Sequence, residues 1–343
     1  MTQISRLSSK TEFMTSCVIR APDARAGADV SLRVLRVMRS LSGVLLGLCV
    51  VCSLPAGAAQ APAVEPAATA TMPEPVAKHA AIKLALRSNA ALVVDQDSGE
   101  TLVMKNADEV MPIASLTKLM TALVVLDAKQ PMDETLDISR DDVDTRKHTR
   151  SRLSVGTRLT RSQMLLLALM SSENRAAMSL SRNYPGGRPA FVAQMNAKAR
   201  ALGMTSTHFA DPAGLSDQSV STARDLHRLV SAAYAQPLIR SNTTHPQSVM
   251  RVKGHMVTFI NTNRLVRKSS DWDIRLQKTG FTNEAGRCLV MQVNVQGRRL
   301  AMIFLDSFGK LTRYADALRV RRRIEQSLPH RMIGSSASVA GSR

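Results

Sequence analysis

Strand-like patterns stand near both ends of the foldable part of this chain, and helical periodicity fills everything between them. Residues 90–95 form a short β-rich run, Asp97-Ser98-Gly99 supplies a turn, and residues 101–105 can return as a second strand. Far downstream, residues 256–260, 289–295 and 299–305 are strand-like again, the last two joined at Gln296-Gly297. In between, Leu116, Leu119, Met120, Leu123 and Val124 follow helical spacing after Pro112, and the far side is also largely apolar, so this helix is expected to be buried. Further helices are expected at 161–170, 174–182 and 189–202, with a break at Gly186-Gly187, and Thr222 can cap another running to about Ala235. Asp211-Pro212-Ala213-Gly214 reads as a turn, and a basic helix over 311–327 closes the pattern. This arrangement predicts an α+β fold: one antiparallel sheet assembled from both termini and packed with helices. Aromatic residues make up only 3% of the chain, so the core must come from Leu, Val, Ala and Met, which argues against an all-β sandwich.

Upstream of this region the text changes character. Arg33, Arg36 and Arg39 precede an apolar stretch at 41–54, and Pro55-Ala56-Gly57-Ala58-Ala59 follows it. That order of positive, apolar and small residues is expected to be a secretory signal, too short for a spanning helix of about 20 residues. Cleavage is expected near Ala58 or Ala59, and Met38 is a candidate internal start because the polar region before Arg33 is long for such a signal. Residues 61–80, rich in Ala, Pro and Thr without periodicity, read as a linker. Cys49 and Cys52 form a C-x-x-C, but both lie inside the apolar run; cleavage there leaves Cys288 alone and no intramolecular disulfide. The formal net charge of +19 points to polyanions, yet no nucleic-acid-binding motif is present, so acidic polymers or anionic lipid are the better partners.

The chemistry is written in three short elements. Ser115-Leu116-Thr117-Lys118 opens the buried helix and sets a hydroxyl and an amine about one turn apart on one face. Serine is a weak nucleophile at its free pKa and needs a base; a lysine near 10.4 serves only if burial or a second cation depresses it. A second S-x-x-K, at Ser307 to Lys310, has no catalytic-looking segment after it and is taken as a coincidence of composition. Ser172-Glu173-Asn174 alone would be a helix cap, and Lys278-Thr279-Gly280 a polar approach to a strand. Their joint occurrence in this order is the signature of β-lactamases and penicillin-binding proteins. Other catalytic templates are absent, and the seven histidines show no metal-ligand spacing.

Longer runs carry the resemblance further: 113–120 (IASLTKLM), 169–176 (LMSSENRA), 261–266 (NTNRLV) and 278–290 (KTGFTNEAGRCLV). With these the chain resembles low-molecular-mass penicillin-binding proteins, and most closely their D-alanyl-D-alanine endopeptidases, over roughly residues 90–325. The resemblance implies a β-lactamase/transpeptidase-like fold, an antiparallel sheet flanked by helices with a helical subdomain carrying the second motif. It implies Ser115 as the acylated nucleophile and Lys118 as its general base, with Ser172 and Asn174 relaying the leaving-group proton and holding the substrate amide. Lys278 would supply positive potential, Thr279 would bind the substrate carboxylate, and the backbone N–H groups of Ser115 and Phe281, the residue after Gly280, would form the oxyanion hole.

The implied function is a periplasmic serine DD-peptidase that cleaves D-alanyl-diaminopimelyl cross-links of peptidoglycan and is acylated by penicillins, with no metal and no cofactor. A D-alanyl-D-alanine carboxypeptidase, a β-lactamase and a non-catalytic wall-binding scaffold are the alternatives. No glutamate occurs between Asn174 and Gln277, where a class A β-lactamase keeps its deacylating carboxylate, so slow deacylation is expected. Glu173 stands where many β-lactamases have Asp, a change that is innocent if the side chain faces solvent. The expected division is an extension and cleaved signal at 1–58, a linker at 59–86, a catalytic domain at 87–328 and a polar tail at 329–343. Arg319, Arg321, Arg322 and Arg323 make the last helix a candidate membrane-surface contact.

Overall fold

The computed structural model describes residues 84–268 and 271–327, so the expected signal, most of the linker and the tail lie outside the described residues. The chain first forms β1 (Ser88–Asp95), β2 (Thr101–Lys105), β3 (Met111–Pro112), α1 (Lys118–Asp127), β4 (Thr135–Asp137) and β5 (Arg158–Thr160). The helical middle follows as α2 (Arg161–Met170), α3 (Asn174–Arg182), α4 (Gly187–Ala201), β6 (Val220–Ser221), α5 (Ala223–Tyr234) and α6 (Pro237–Thr244). The remainder is β7 (Gln247–Val252), β8 (His255–Ile260), α7 (Arg264–Lys268), β9 (Asp273–Thr282), β10 (Gly286–Val295), β11 (Arg298–Ser307) and α8 (Thr312–Ser327).

Five strands make the main sheet, in the order β2-β1-β11-β10-β9, and every pairing is antiparallel. The first strand of the chain therefore lies beside the last, with Ala91 opposite Phe304 and Val93 opposite Met302. Both faces of this sheet are covered, and that accounts for the near-continuous apolar text of β10 and β11. Alternation sends Ala90, Leu92, Ala301, Ile303 and Leu305 into the helical core, while Ala91, Val93, Leu300, Met302 and Phe304 meet Tyr314, Ala317, Val320 and Ile324 of α8. Each fully buried Val, Leu, Ile, Phe or Met among these contributes about 1.5–3 kcal/mol by leaving water, the alanines less, so the sheet is stabilised from two sides. Cys288, in β10, is buried, and that burial pushes its thiol up to about 12.

Sequence and structure differ in a few places with physical reasons. Lys278-Thr279-Gly280 lies inside β9 rather than on the approach to a strand, paired with Val290, Leu289 and Cys288. Its polar letters hid an edge strand whose side chains serve a cleft. The β7–β8 hairpin turns at Lys253-Gly254, both with positive φ, and only the second of its strands is legible from pattern. Of the four arginines singled out on α8, Arg319 bonds Asp316, and Arg321 bonds Glu325 while stacking 5.1 Å over the Trp272 ring. Only Arg322 and Arg323 are left as exposed charges, so the basic face is narrower than expected.

Asp316 fastens α8 to the sheet. Its buried carboxylate accepts from the backbone N–H of Arg87 at 3.1 Å, the N–H of Ser88 at 2.8 Å and the Ser88 hydroxyl at 2.7 Å. Ser307 completes the knot, 2.7 Å from that hydroxyl, which gives the second S-x-x-K a structural occupation. Asp316→Ala strands buried donors, and we expect it to lower the unfolding free energy by about 3 kcal/mol. Urea denaturation measures this; a loss of under about 1 kcal/mol would show that water replaces the clamp.

Candidate active site

The hydroxyl and amine of the first motif meet at the start of α1. Residues Ala114–Thr117 form a 3-10 turn that leads directly into the helix, and Ala114 takes a left-handed φ of 47°, an unfavourable angle for a residue with a Cβ. The turn is held from two sides. Gly214, at φ +72°, lies so close that a Cβ there would fall 1.9 Å from the Ala114 carbonyl oxygen. Gly280 of β9 packs on the other flank, where a Cβ would come within 3.0 Å of the Ile113 carbonyl and 3.3 Å of the Ser115 nitrogen. Gly214 therefore requires glycine, while at Gly280 a side chain would crowd the turn and force it to shift by a few tenths of an ångström.

Lys118 is fully buried, and its Nζ donates to Ser115 Oγ at 2.9 Å, Asn174 Oδ1 at 2.7 Å and the Ala213 carbonyl at 2.6 Å. Those three acceptors match the three protons of an ammonium. When the amine is neutral, its lone pair can instead accept from the Ser115 hydroxyl while the other two contacts persist. Burial lowers Lys118 to about 7, against the pull of Asp211 and Glu173, which raise it. The group is therefore poised to exchange a proton near neutrality.

Lys278 is buried as well, with Nζ donating to Ser172 Oγ at 2.9 Å and to the Thr279 carbonyl at 2.9 Å. Burial, and then the charge of Lys118, holds it well below the ordinary lysine range. Ser172 sits at a left-handed φ of 60°, and Asn174 begins α3 with Nδ2 donating to Thr149 Oγ1 at 2.9 Å. Thr279 shares a 2.6 Å hydrogen bond with Thr262. A cleft of about 300 Å³ is lined by Ser115, Ser172, Asn174, Thr279, Gly280 and Phe281, and by two residues the sequence reading passed over, Thr262 and Arg313. All eight sequence-derived site residues therefore converge, Lys118 and Lys278 from beneath and the other six on the wall. Phe281 turns its ring outward, 51% exposed, beneath the Arg287 guanidinium.

Three further groups carry the site. Asp211 accepts from the N–H groups of Ala213, Gly214, Leu215 and Ser216, and so aims the Ala213 carbonyl at Lys118. The sequence marked this turn but offered no signal for its use, because the contact is backbone. Thr262 belongs to the NTNRLV run, whose letters do not by themselves indicate a place in the cleft. Arg313 enters from the start of α8, buried, with its Nε lacking a hydrogen-bond partner among the described residues. Glu173 departs from the solvent-facing reading: it is 9% exposed and accepts from Ser151 Oγ at 2.6 Å and Arg152 N–H at 3.3 Å. Its extra methylene reaches a neighbouring loop rather than solvent.

Known proteins are similar to this chain in sequence and in fold. A family model described as D-alanyl-D-alanine carboxypeptidase matches residues 75–309. A D-alanyl-D-alanine endopeptidase of Pseudomonas aeruginosa is 51% identical over 242 residues, covering 70% of this chain and 78% of that protein. One of Escherichia coli is 46% identical over 259 residues, covering 74% and 83%. Among solved structures, penicillin-binding protein D2 from Listeria monocytogenes in its ampicillin-bound form is similar with a TM-score of 0.60 at 33% identity, covering 70% of this chain and 98% of that one.

The depressed lysine has a measurable consequence for stability. Between about 7 and 10.5 the unfolded chain holds a proton on Lys118 that the folded protein has lost, so stability rises with pH across that window. Lys118→Met removes this contribution and should flatten the rise while abolishing nucleophile activation. Thermal melts of both proteins from pH 6 to 9 check it, and parallel curves would mean that the buried amine stays charged.

Proposed function

The chain belongs to the D-alanyl-D-alanine carboxypeptidase family of serine peptidases, and on that premise we propose that it hydrolyses D-alanyl peptide bonds of peptidoglycan through an acyl-enzyme on Ser115. The observation that carries this reading is the fully buried Lys118 amine, 2.9 Å from the Ser115 hydroxyl, where burial lowers its pKa to about 7. Neutral Lys118 takes the hydroxyl proton as Ser115 Oγ bonds to the D-alanyl carbonyl carbon, and the carbonyl electron pair moves onto oxygen. The N–H groups of Ser115 and Phe281 receive that oxyanion. Collapse restores the carbonyl and breaks the C–N bond, and the departing amine takes the proton that Lys118 had gained, relayed through Ser172, which leaves Lys118 neutral again, with Asn174 holding the substrate amide. Water then adds to the acyl carbon, its proton passing to the same base, and Ser115 recovers its hydrogen as the product acid leaves.

On the leaving side, Thr279 and Arg313 receive the substrate carboxylate; the unpartnered Nε of Arg313 supports this. That anion also favours the charged form of Lys278, which burial disfavours in the free site. Cleavage of D-alanyl-diaminopimelyl cross-links is the preferred activity, because relatives at 51% and 46% identity both carry the endopeptidase name. Removal of terminal D-alanine is the second reading, favoured by the family description. Acylation by β-lactams follows from the same nucleophile and is supported by the ampicillin-bound relative. We propose that the catalytic domain at 87–328 works in the periplasm after export by the N-terminal signal. A peripheral contact with anionic lipid is proposed only for Arg322 and Arg323 of α8.

A fluorescent penicillin should label the wild type and not Ser115→Ala, and the acylation rate should rise with pH through about 7 as Lys118 deprotonates. Hydrolysis should fall by on the order of 10³-fold or more in Ser115→Ala. Incubation with cross-linked muropeptide dimers and pentapeptide monomers separates the two activities: monomer release is expected from the dimers, and free D-alanine alone would transfer the enzyme to the carboxypeptidases.

A further inference from the structure

Beside the catalytic cleft lies a larger cavity of about 660 Å³, and Thr262 lines both. A single wall separates them. Along it, Ser172 and Asn174 line the catalytic cleft while their chain neighbours Ser171 and Glu173 line the second groove. Three arginines stand in that groove: Arg150 and Arg152 from the loop before β5, and Arg267 from α7. All three are exposed.

The charge of the groove is unbalanced. Arg152 donates to the Thr258 carbonyl and lies 5.8 Å over the Phe259 ring, so it is held in place without being neutralised. Arg150 and Arg267 have no acidic partner among the described residues. Glu173 is the one acidic residue in the lining, and its carboxylate already accepts from Ser151 and from the Arg152 backbone. Three arginines and one engaged carboxylate thus line a groove that Phe259 and Ile260 also line. Guanidinium forks match carboxylates in geometry, and an apolar lining suits the carbon skeleton between them.

We propose that this groove is a second substrate site, which holds free carboxylates of the acidic peptide whose D-alanyl bond is presented to Ser115. It rests on the DD-peptidase reading for the identity of the peptide. A ligand spanning Thr262 would occupy cleft and groove together, and the groove would select substrates by carboxylates distant from the bond that breaks. The anion recognised here is separate from the one assigned to Thr279 and Arg313, which lie in the cleft. Asp144 supports the groove: its carboxylate accepts from the N–H groups of Arg146, Lys147 and Thr149, which fixes the loop that delivers Arg150 and Arg152.

The test uses a synthetic D-alanyl-D-alanine peptide with two free carboxylates upstream of the scissile bond, and the same peptide with both amidated. In the Arg150→Gln/Arg267→Gln double variant, kcat/KM on the acidic peptide should fall about tenfold, mainly through KM, as expected for losing two exposed charge contacts. On the amidated peptide it should change by less than about twofold. Raising the ionic strength to about 1 M, where the Debye length is about 3 Å, should erase the wild-type preference for the acidic peptide. Equal losses on the two peptides, or none on either, would overturn the proposal. If the wild type hydrolyses neither peptide, the catalytic reading fails on its own. The groove is then judged by binding of both peptides to Ser115→Ala: salt-sensitive preference for the acidic one, lost with the two arginines, upholds it, and equal binding rejects it.

Discussion

An amine without water is the constraint on which the rest of this structure depends. Removing an ammonium from solvent costs several kcal/mol, and the folded chain sustains that cost at Lys118 because α1 is buried on almost every side. The helix has little polar face: residues 118–125 are all buried, so the apolar text that reads as excessive for a surface helix is what keeps the site dry. Hydrogen bonds to Asn174 and the Ala213 carbonyl hold the amine while it is charged and keep it aimed when it is not. Packing and chemistry are the same requirement here.

The wall formed by residues 171–174 shows how a short segment serves two surfaces. Ser172 adopts a left-handed backbone, and with that kink alternate side chains turn to opposite sides. The Ser172 hydroxyl and the Asn174 amide go one way, towards Lys278 and Lys118, and Glu173 goes the other to anchor the loop before β5. A small change in that loop is therefore transmitted to the chain on either side of Glu173, because Asn174 is also tied to the loop through Thr149.

Much of this was legible beforehand. The sheet joined from both ends of the chain was readable because strands buried on both faces are written as continuous apolar runs, and α2 and α3 were readable from their periodicity. The Ser115 and Lys118 pair was readable because a three-residue spacing puts both on one helix face, whereas Ser172-Glu173-Asn174 and Lys278-Thr279-Gly280 stood out only through their joint resemblance to the penicillin-binding signature. What escaped was carried by backbone or by reach. The Ala213 carbonyl has no letter of its own, Arg313 looked like one more charge in a basic helix, and β9 was masked by polar residues on its cleft side. Glu173 was misjudged because one extra methylene gives no hint of where it extends.

The neighbouring of β1 and β11 has a consequence for how such a molecule comes into being. Its central pairing joins residues more than two hundred positions apart, so the sheet cannot close until nearly all of the polypeptide has been synthesised. A nascent chain of this topology goes without its central strand pairing for most of its manufacture. The packing of β9 against the Ala114–Thr117 turn, which brings Gly280 beside Ser115, likewise waits for the last third of the chain.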